Sequence, residues 1–272
     1  MKVGNTPLVK LDSIGTQYKC DLWAKLEYLN LTGSHKDRES IMVVEEMKLR
    51  GFKECAIASS GNAGLSLSYF CWLEHLRCHL FIPTNSYNRS QTLLSIFSPV
   101  VHKASSYREA TKLLRNLVAK KHVYNANAGE CEARIKGDEK ILDEIMAVII
   151  PTVVICPVNN GTLFNGLRRG IKNSDPSIFL VGAKAPATKL AHSLSGFYNL
   201  EKTYGRILEV DDQQIADATR QLAYEGHIVE PASATVVAVL PLIRETLENR
   251  TVCVVLTGYG LKYPSELAEA LK

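Results

Sequence analysis

The chain has 272 residues, enough to bury a substantial core as one large α/β unit or roughly two domains. Its net charge of +4 is small and its basic residues are dispersed, which argues against a nucleic-acid or anionic-membrane surface, and no apolar run approaches the roughly 20 residues of a membrane span. Seven cysteines, an odd number without framework spacing, read as reduced thiols, and Val3-Gly4-Asn5-Thr6-Pro7-Leu8 leaves no room for the regions of a signal peptide, so a soluble, cytoplasmic protein is expected.

Asn5-Thr6-Pro7 is turn chemistry, and residues 22–26 read as a short strand feeding a loop around Lys36. An apolar helical run follows through Ile41 and Val44. Strands are then expected at 55–58, 78–82, 152–156, 178–181, 207–210 and 251–256. Helices are expected after Asn62, with Leu65, Tyr69, Trp72, Leu73 and Leu76 on one face, over 107–119, and near Ile141, Leu167, Ala218 and Val237. This β-α alternation implies an α/β fold with mostly parallel sheet covered by helices on both faces.

Open parallel sheets bind ligands beyond the carboxyl ends of their strands, so the loops carry the functional reading. Thr32-Gly33-Ser34-His35-Lys36-Asp37-Arg38 sets a lysine among small residues just ahead of a helix. There the positive end of the helix dipole and loss of solvent both favour a free amine, as a Schiff-base nucleophile requires. Ser59-Ser60-Gly61-Asn62 presents hydroxyls and amides at a helix start, suited to a carboxylate or phosphate or else to a plain N-cap. Pro157-Val158-Asn159-Asn160-Gly161-Thr162 is an anion cradle by position, or an ordinary polar turn. Leu256-Thr257-Gly258-Tyr259-Gly260-Leu261-Lys262 has glycines that let backbone approach a flat ligand, or merely turn the chain.

Gly4-Asn5-Thr6-Pro7-Leu8, the Lys36 loop, the Ser59 loop, Glu230-Pro231-Ala232-Ser233-Ala234 and the Thr257 loop occur in an order that resembles the threonine synthase branch of the pyridoxal phosphate enzymes related to tryptophan synthase β and cysteine synthase (fold type II). The resemblance spans essentially the whole chain. It implies two open, mostly parallel sheets, with a large cofactor-binding domain (1–39 and 129–272), a small mobile substrate-binding domain (40–128), and a homodimer. It also implies that Lys36 carries pyridoxal 5'-phosphate as a Schiff base and then moves protons between substrate carbons. Asn62 would meet the ring's phenolic oxygen, Asn159, Asn160, Gly161 and Thr162 the cofactor phosphate, and Thr257 the pyridine nitrogen. Ser59, Ser60 and Gly61 would hold the carboxylate of an amino-acid substrate, and Arg134 the phosphate of O-phospho-L-homoserine. The implied reaction yields L-threonine and phosphate.

Several positions depart from the family. Asn159 and Thr162 stand where glycine is common, His35 replaces a phenylalanine and Tyr259 a histidine, and Ala63 and Ala126 stand where hydroxyls meet the substrate phosphate. The chain also looks trimmed at its N-terminus and around Ala183 to Ser195. A related β-replacement enzyme or a serine/threonine deaminase is therefore the rival reading, and a non-catalytic paralogue acting as a binding partner is another. Cys71, His75, Cys78 and His79 mimic metal spacing but overlap an apolar helix face, so no metal is expected. Asp37 is expected as a first-turn dipole partner or in an ion pair with Arg38.

Overall fold

The computed structural model describes residues 3–194 and 205–272. In chain order the elements are β1 (Leu8–Lys10), α1 (Asp12–Tyr18), β2 (Asp21–Lys25), α2 (Lys36–Leu49), β3 (Glu54–Ala58), α3 (Asn62–Leu73), β4 (Arg77–Pro83), α4 (Thr84–Ser95), β5 (Val100–Ala104), α5 (Tyr107–Lys120) and β6 (Tyr124–Asn125). They continue as α6 (Glu132–Met146), β7 (Val153–Pro157), α7 (Thr162–Ser174), β8 (Phe179–Lys184), β9 (Arg206–Glu209), α8 (Asp212–Tyr224), α9 (Pro231–Ala238), α10 (Arg244–Leu247), β10 (Thr251–Val255) and α11 (Pro264–Leu271). Ser195, the far end of the segment that looked trimmed, lies outside the described residues.

Two compact units result, one from the segment ending at His35 together with Asp138–Lys272, the other from Lys36–Gly137. The breaks thus follow His35 and Gly137, where the sequence suggested Glu39 and Ala128. The first unit holds a six-stranded sheet in the order β1-β2-β10-β7-β8-β9, parallel except for β1. The second holds a four-stranded, wholly parallel sheet, β5-β4-β3-β6. β7 and β10 are the near-continuous apolar runs Val-Val-Ile-Cys-Pro and Thr-Val-Cys-Val-Val, as strands covered on both faces must be. One layer of the first core includes Val153, Ile155, Val252 and Val254; the opposite layer includes Val154, Cys156, Cys253 and Val255.

The face expected for α3 is corrected. The helix ends at Leu73, His75 turns the chain at φ +55°, and Trp72 is 54% exposed. Leu65 is buried as expected, but Leu67, Phe70 and Cys71 complete the buried face, because Gly64 and Ser68 are small enough to bring the helix against β4. A Cβ at Gly64 would sit 2.6 Å from the Ser59 carbonyl and 3.1 Å from Leu80. β1, α1, α4, β5, β6, α10 and α11 had no counterpart in the sequence reading. β5 alternates weakly as Val-Val-His-Lys-Ala at a sheet edge, and β6 has two residues, too few for any period.

Candidate active site

In each unit the loops singled out above leave the carboxyl ends of parallel strands, where such sheets bind ligands. In the first unit, the two loops most specific to the resemblance are stitched together across more than two hundred residues of sequence. Ser34 and Gly258 form an antiparallel bridge, His35 N donates to Thr257 O at 3.0 Å, and Tyr259 N donates to Gly33 O at 3.0 Å. Gly33 holds φ +79° with the Lys262 side chain against it, and Lys262 Nζ donates to Thr32 O at 2.9 Å.

Thr257 is 3% exposed, and its hydroxyl lies 2.8 Å from that of Ser233 on α9. Ser233 Oγ also accepts the Gly258 amide at 2.8 Å. If the Ser233 proton goes to Thr257, the Thr257 hydroxyl keeps its own proton for a further acceptor. The glycines of this loop make room for the protein itself. A Cβ on Gly258 would fall 2.3 Å from a Glu230 carboxylate oxygen, and one on Gly260 would fall 2.7 Å from the Val229 carbonyl. Tyr259 stacks on Tyr28 with centroids 6.0 Å apart, and Tyr28 Oη meets His227 Nδ1 at 3.0 Å.

Between β7 and α7, Gly161 takes φ +88° as the N-cap and Thr162 is the first helical residue. The first amides of a helix have no intrahelical acceptor, so they point at whatever sits there and favour an anion. Asn159 Oδ1 in the same loop is buried and has no hydrogen-bond partner among the described residues. Asn160 beside it is half-buried.

In the second unit, Lys36 opens α2 with its side chain 20% exposed and pairs with Glu39 Oε1 one turn on. Glu39 is wholly buried, and its other oxygen faces Nη2 of Arg134, also wholly buried. Arg134 Nη1 donates to Ala126 O at 3.1 Å. A close helix crossing brings these groups together: a Cβ on Gly137 would lie 2.3 Å from the Arg38 carbonyl, so only glycine lets α6 lie this near α2. Asp37 is buried and accepts from Ser66 Oγ at 2.7 Å.

Ser59 Oγ accepts the Gly64 amide at 3.1 Å and that of Gly61 at 3.4 Å, so this hydroxyl caps α3. Ser60 Oγ pairs with Tyr107 Oη. Gly61 is the N-cap and Asn62, half-buried, is the first residue of the helix. Sequence reading missed Glu39 and gave Ser233 no role. Glu39 stands three residues after Lys36 on a helix, a spacing that brings side chains together, so it could have been found. Ser233 lies in the Glu230–Ala234 stretch that carried part of the resemblance, but its meeting with Thr257 depends on a contact 24 residues away.

The sequence profile described as "Pyridoxal-phosphate dependent enzyme" matches residues 1–258. A threonine synthase of Bacillus sp. (strain ULM1) is 27% identical, over 96% of this chain and 84% of its own length. Two solved structures share the fold. Maize serine racemase has a TM-score of 0.87 at 18% identity, covering 98% of this chain and 91% of that one. The processed form of threonine deaminase isoform 2 from Solanum lycopersicum has a TM-score of 0.83 at 17% identity, covering 98% of this chain and 83% of that one. With the family profile matched along nearly its whole length, the chain belongs to the pyridoxal-phosphate dependent enzyme family.

Proposed function

We propose that this pyridoxal phosphate enzyme converts O-phospho-L-homoserine and water to L-threonine and phosphate, as a cytoplasmic homodimer with a mobile substrate-binding unit. The observation that carries the proposal is the pairing of the Thr32–His35 loop with the Thr257–Lys262 loop, the two stretches most like threonine synthases. The threonine synthase relative supports it across 96% of the chain.

The residues present fit the cofactor. Lys36 offers an amine, the first turn of α7 with Gly161, Thr162, Asn160 and the Asn159 side chain offers donors for a phosphate, and Thr257 offers a neutral hydroxyl to a ring nitrogen. When bound, pyridoxal phosphate supplies an electron sink for charge at the substrate's α-carbon, and a neutral hydroxyl partner keeps that sink mild. Lys36 moves protons between substrate carbons in this reading. Ser59 and Ser60 bind Gly64 and Tyr107, and Gly61 N donates to Ser59 Oγ, so in this reading the substrate carboxylate is met at the start of α3 and the ring oxygen by Asn62. Arg134 is withdrawn into its pair with Glu39, so we assign it to positioning Glu39.

That withdrawal, with Ala63 and Ala126 in place of hydroxyls, favours a second reading: deamination of, or β-replacement on, a serine or threonine derivative. An assay for phosphate release and threonine from O-phospho-L-homoserine, beside serine, threonine and O-acetylserine, separates the two. Phosphate and threonine are expected. Turnover of one of the others without phosphate release overturns the threonine synthase reading and leaves the cofactor in place.

A further inference from the structure

Away from the residues above, the sulfurs of Cys55, Cys71 and Cys78 converge in the interior of the Lys36–Gly137 unit, all within 4.8 Å of one another. Their meeting is built into the sheet. β3 and β4 are parallel neighbours in which Cys55 and Cys78 are register partners, so both side chains leave one face a strand spacing apart. Cys71 reaches them from α3, its Sγ 3.5 Å from that of Cys55. His79, one residue past Cys78, leaves the opposite face, where it meets Glu54 at 2.9 Å and His102 at 3.0 Å. The Cys71-His75-Cys78-His79 pattern of the sequence is thus replaced by a three-sulfur set that takes its third member from β3.

All three are free thiols. Tetrahedral ligands about 2.3 Å from a zinc ion stand about 3.8 Å apart, a spacing this cluster accommodates. A fourth polar group is at hand: Ser68 Oγ lies 3.8 Å from Cys78 Sγ while also bonding Gly64 O at 2.8 Å. An open cavity of about 630 Å³ is lined by Ser68, Cys71 and Cys78 with Trp72, His75 and Phe97, which gives an ion a way in.

We propose that Cys55, Cys71 and Cys78 bind one thiophilic divalent cation of the zinc class, with the Ser68 hydroxyl or a water as fourth ligand. Three S–H bonds give way to three metal–sulfur bonds, three protons leave to solvent through the cavity, and no electrons are exchanged. The bound ion ties the last turn of α3 to two central strands and so stabilises this unit.

The test is anaerobic titration of the reduced, full-length holoenzyme with Co(II), followed by displacement with Zn(II). One equivalent of Co(II) should give tetrahedral d–d bands and a thiolate-to-cobalt charge-transfer band, both abolished by Zn(II). Cys78→Ala, checked for folding by circular dichroism, should weaken binding by about a hundredfold or more, whereas Cys20→Ala should leave it unchanged. Should Cys78→Ala fail to fold, wild type alone decides: Zn(II) must slow alkylation of Cys71 and Cys78, mapped by peptide mass, while leaving Cys20 as reactive as before. Absence of the thiolate band at one equivalent, the same band in a folded Cys78→Ala, or equal alkylation with and without Zn(II) overturns the proposal.

Discussion

Glu39 pairs with Lys36 across one turn of α2, and the carboxylate that does so is wholly out of solvent. An ammonium held this way is no nucleophile until its proton leaves, and Glu39 is the acceptor beside it. Arg134, on the far oxygen, keeps the carboxylate in place from α6. The lysine's availability is thus tied to a buried ion pair behind it.

Replacing Glu39 by Gln removes the carboxylate that pairs with Lys36 and leaves Arg134 buried without that counter-ion. We expect the rate at which borohydride fixes pyridoxal phosphate on Lys36, read by peptide mass, to differ from that of wild type. Stability should fall as well, since breaking a buried pair from one side costs about 3–5 kcal/mol, and Arg134→Ala should cost about as much. An unchanged trapping rate in Glu39→Gln would remove Glu39 from any role at the lysine.

The hydroxyl pair Ser233–Thr257 makes a second prediction. Thr257→Ser keeps the 2.8 Å contact, whereas Thr257→Asp puts a carboxylate in a buried place close to Glu230, whose carboxylate already crowds Gly258. The spectrum of bound pyridoxal phosphate should change in Thr257→Asp, and turnover should drop about tenfold or more below Thr257→Ser, a difference of about 1.4 kcal/mol. Ser233→Ala should fall between them. Equal spectra and equal rates across the three would place Thr257 away from the cofactor.

Much of this architecture was legible because parallel strands declare themselves as apolar runs and their loops as polar, glycine-bearing breaks. Val153–Pro157 and Thr251–Val255 are examples, and so are the Asn159 and Thr257 loops that follow them. What stayed hidden depends on contacts between distant segments. Gly258 looked like room for a flat ligand, yet it makes room for Glu230. The resemblance set Arg134 on a substrate phosphate, but a glycine one turn later, at 137, brings its helix onto α2 and buries it. Cys55 belonged to no motif until strand register set it beside Cys78.

Two histidines set an acid limit on stability. Burial holds both His227 and His102 below the ordinary imidazole range, with the neighbouring His79 adding to the effect at His102. Each is harder to protonate folded than unfolded, so the unfolded chain binds more protons between the two values. Stability should therefore fall as pH drops through about 6.5 and level off once the folded-state values are passed. Thermal unfolding followed from about pH 7.5 to about 5.5 reads this, and a His102→Gln/His227→Gln double variant should show a shallower fall. An equally steep fall in that variant would assign the pH dependence to other groups.

Asn159 offers the sharpest test of the phosphate loop. Its Oδ1 is buried without a hydrogen-bond partner among the described residues, near an N-cap glycine at φ +88° and the first amides of α7. An unmatched acceptor has no use for an anion, but half a turn of the amide exchanges it for two N–H donors, which a phosphate dianion can accept. On that account the residue standing where glycine is common adds a bond to the phosphate rather than crowding it. Asn159→Asp loses the donors and sets a negative charge against the dianion. A charge-assisted hydrogen bond is worth about 1.5–3 kcal/mol, so affinity for pyridoxal phosphate should fall about tenfold to a hundredfold. Pyridoxal, which has the aldehyde and ring but no phosphate, should bind wild type and Asn159→Asp equally, with Asn159→Ala intermediate for pyridoxal phosphate alone. Equal losses for both ligands in Asn159→Asp would mean that the substitution damages the fold, and would leave the phosphate to the helix amides without Asn159.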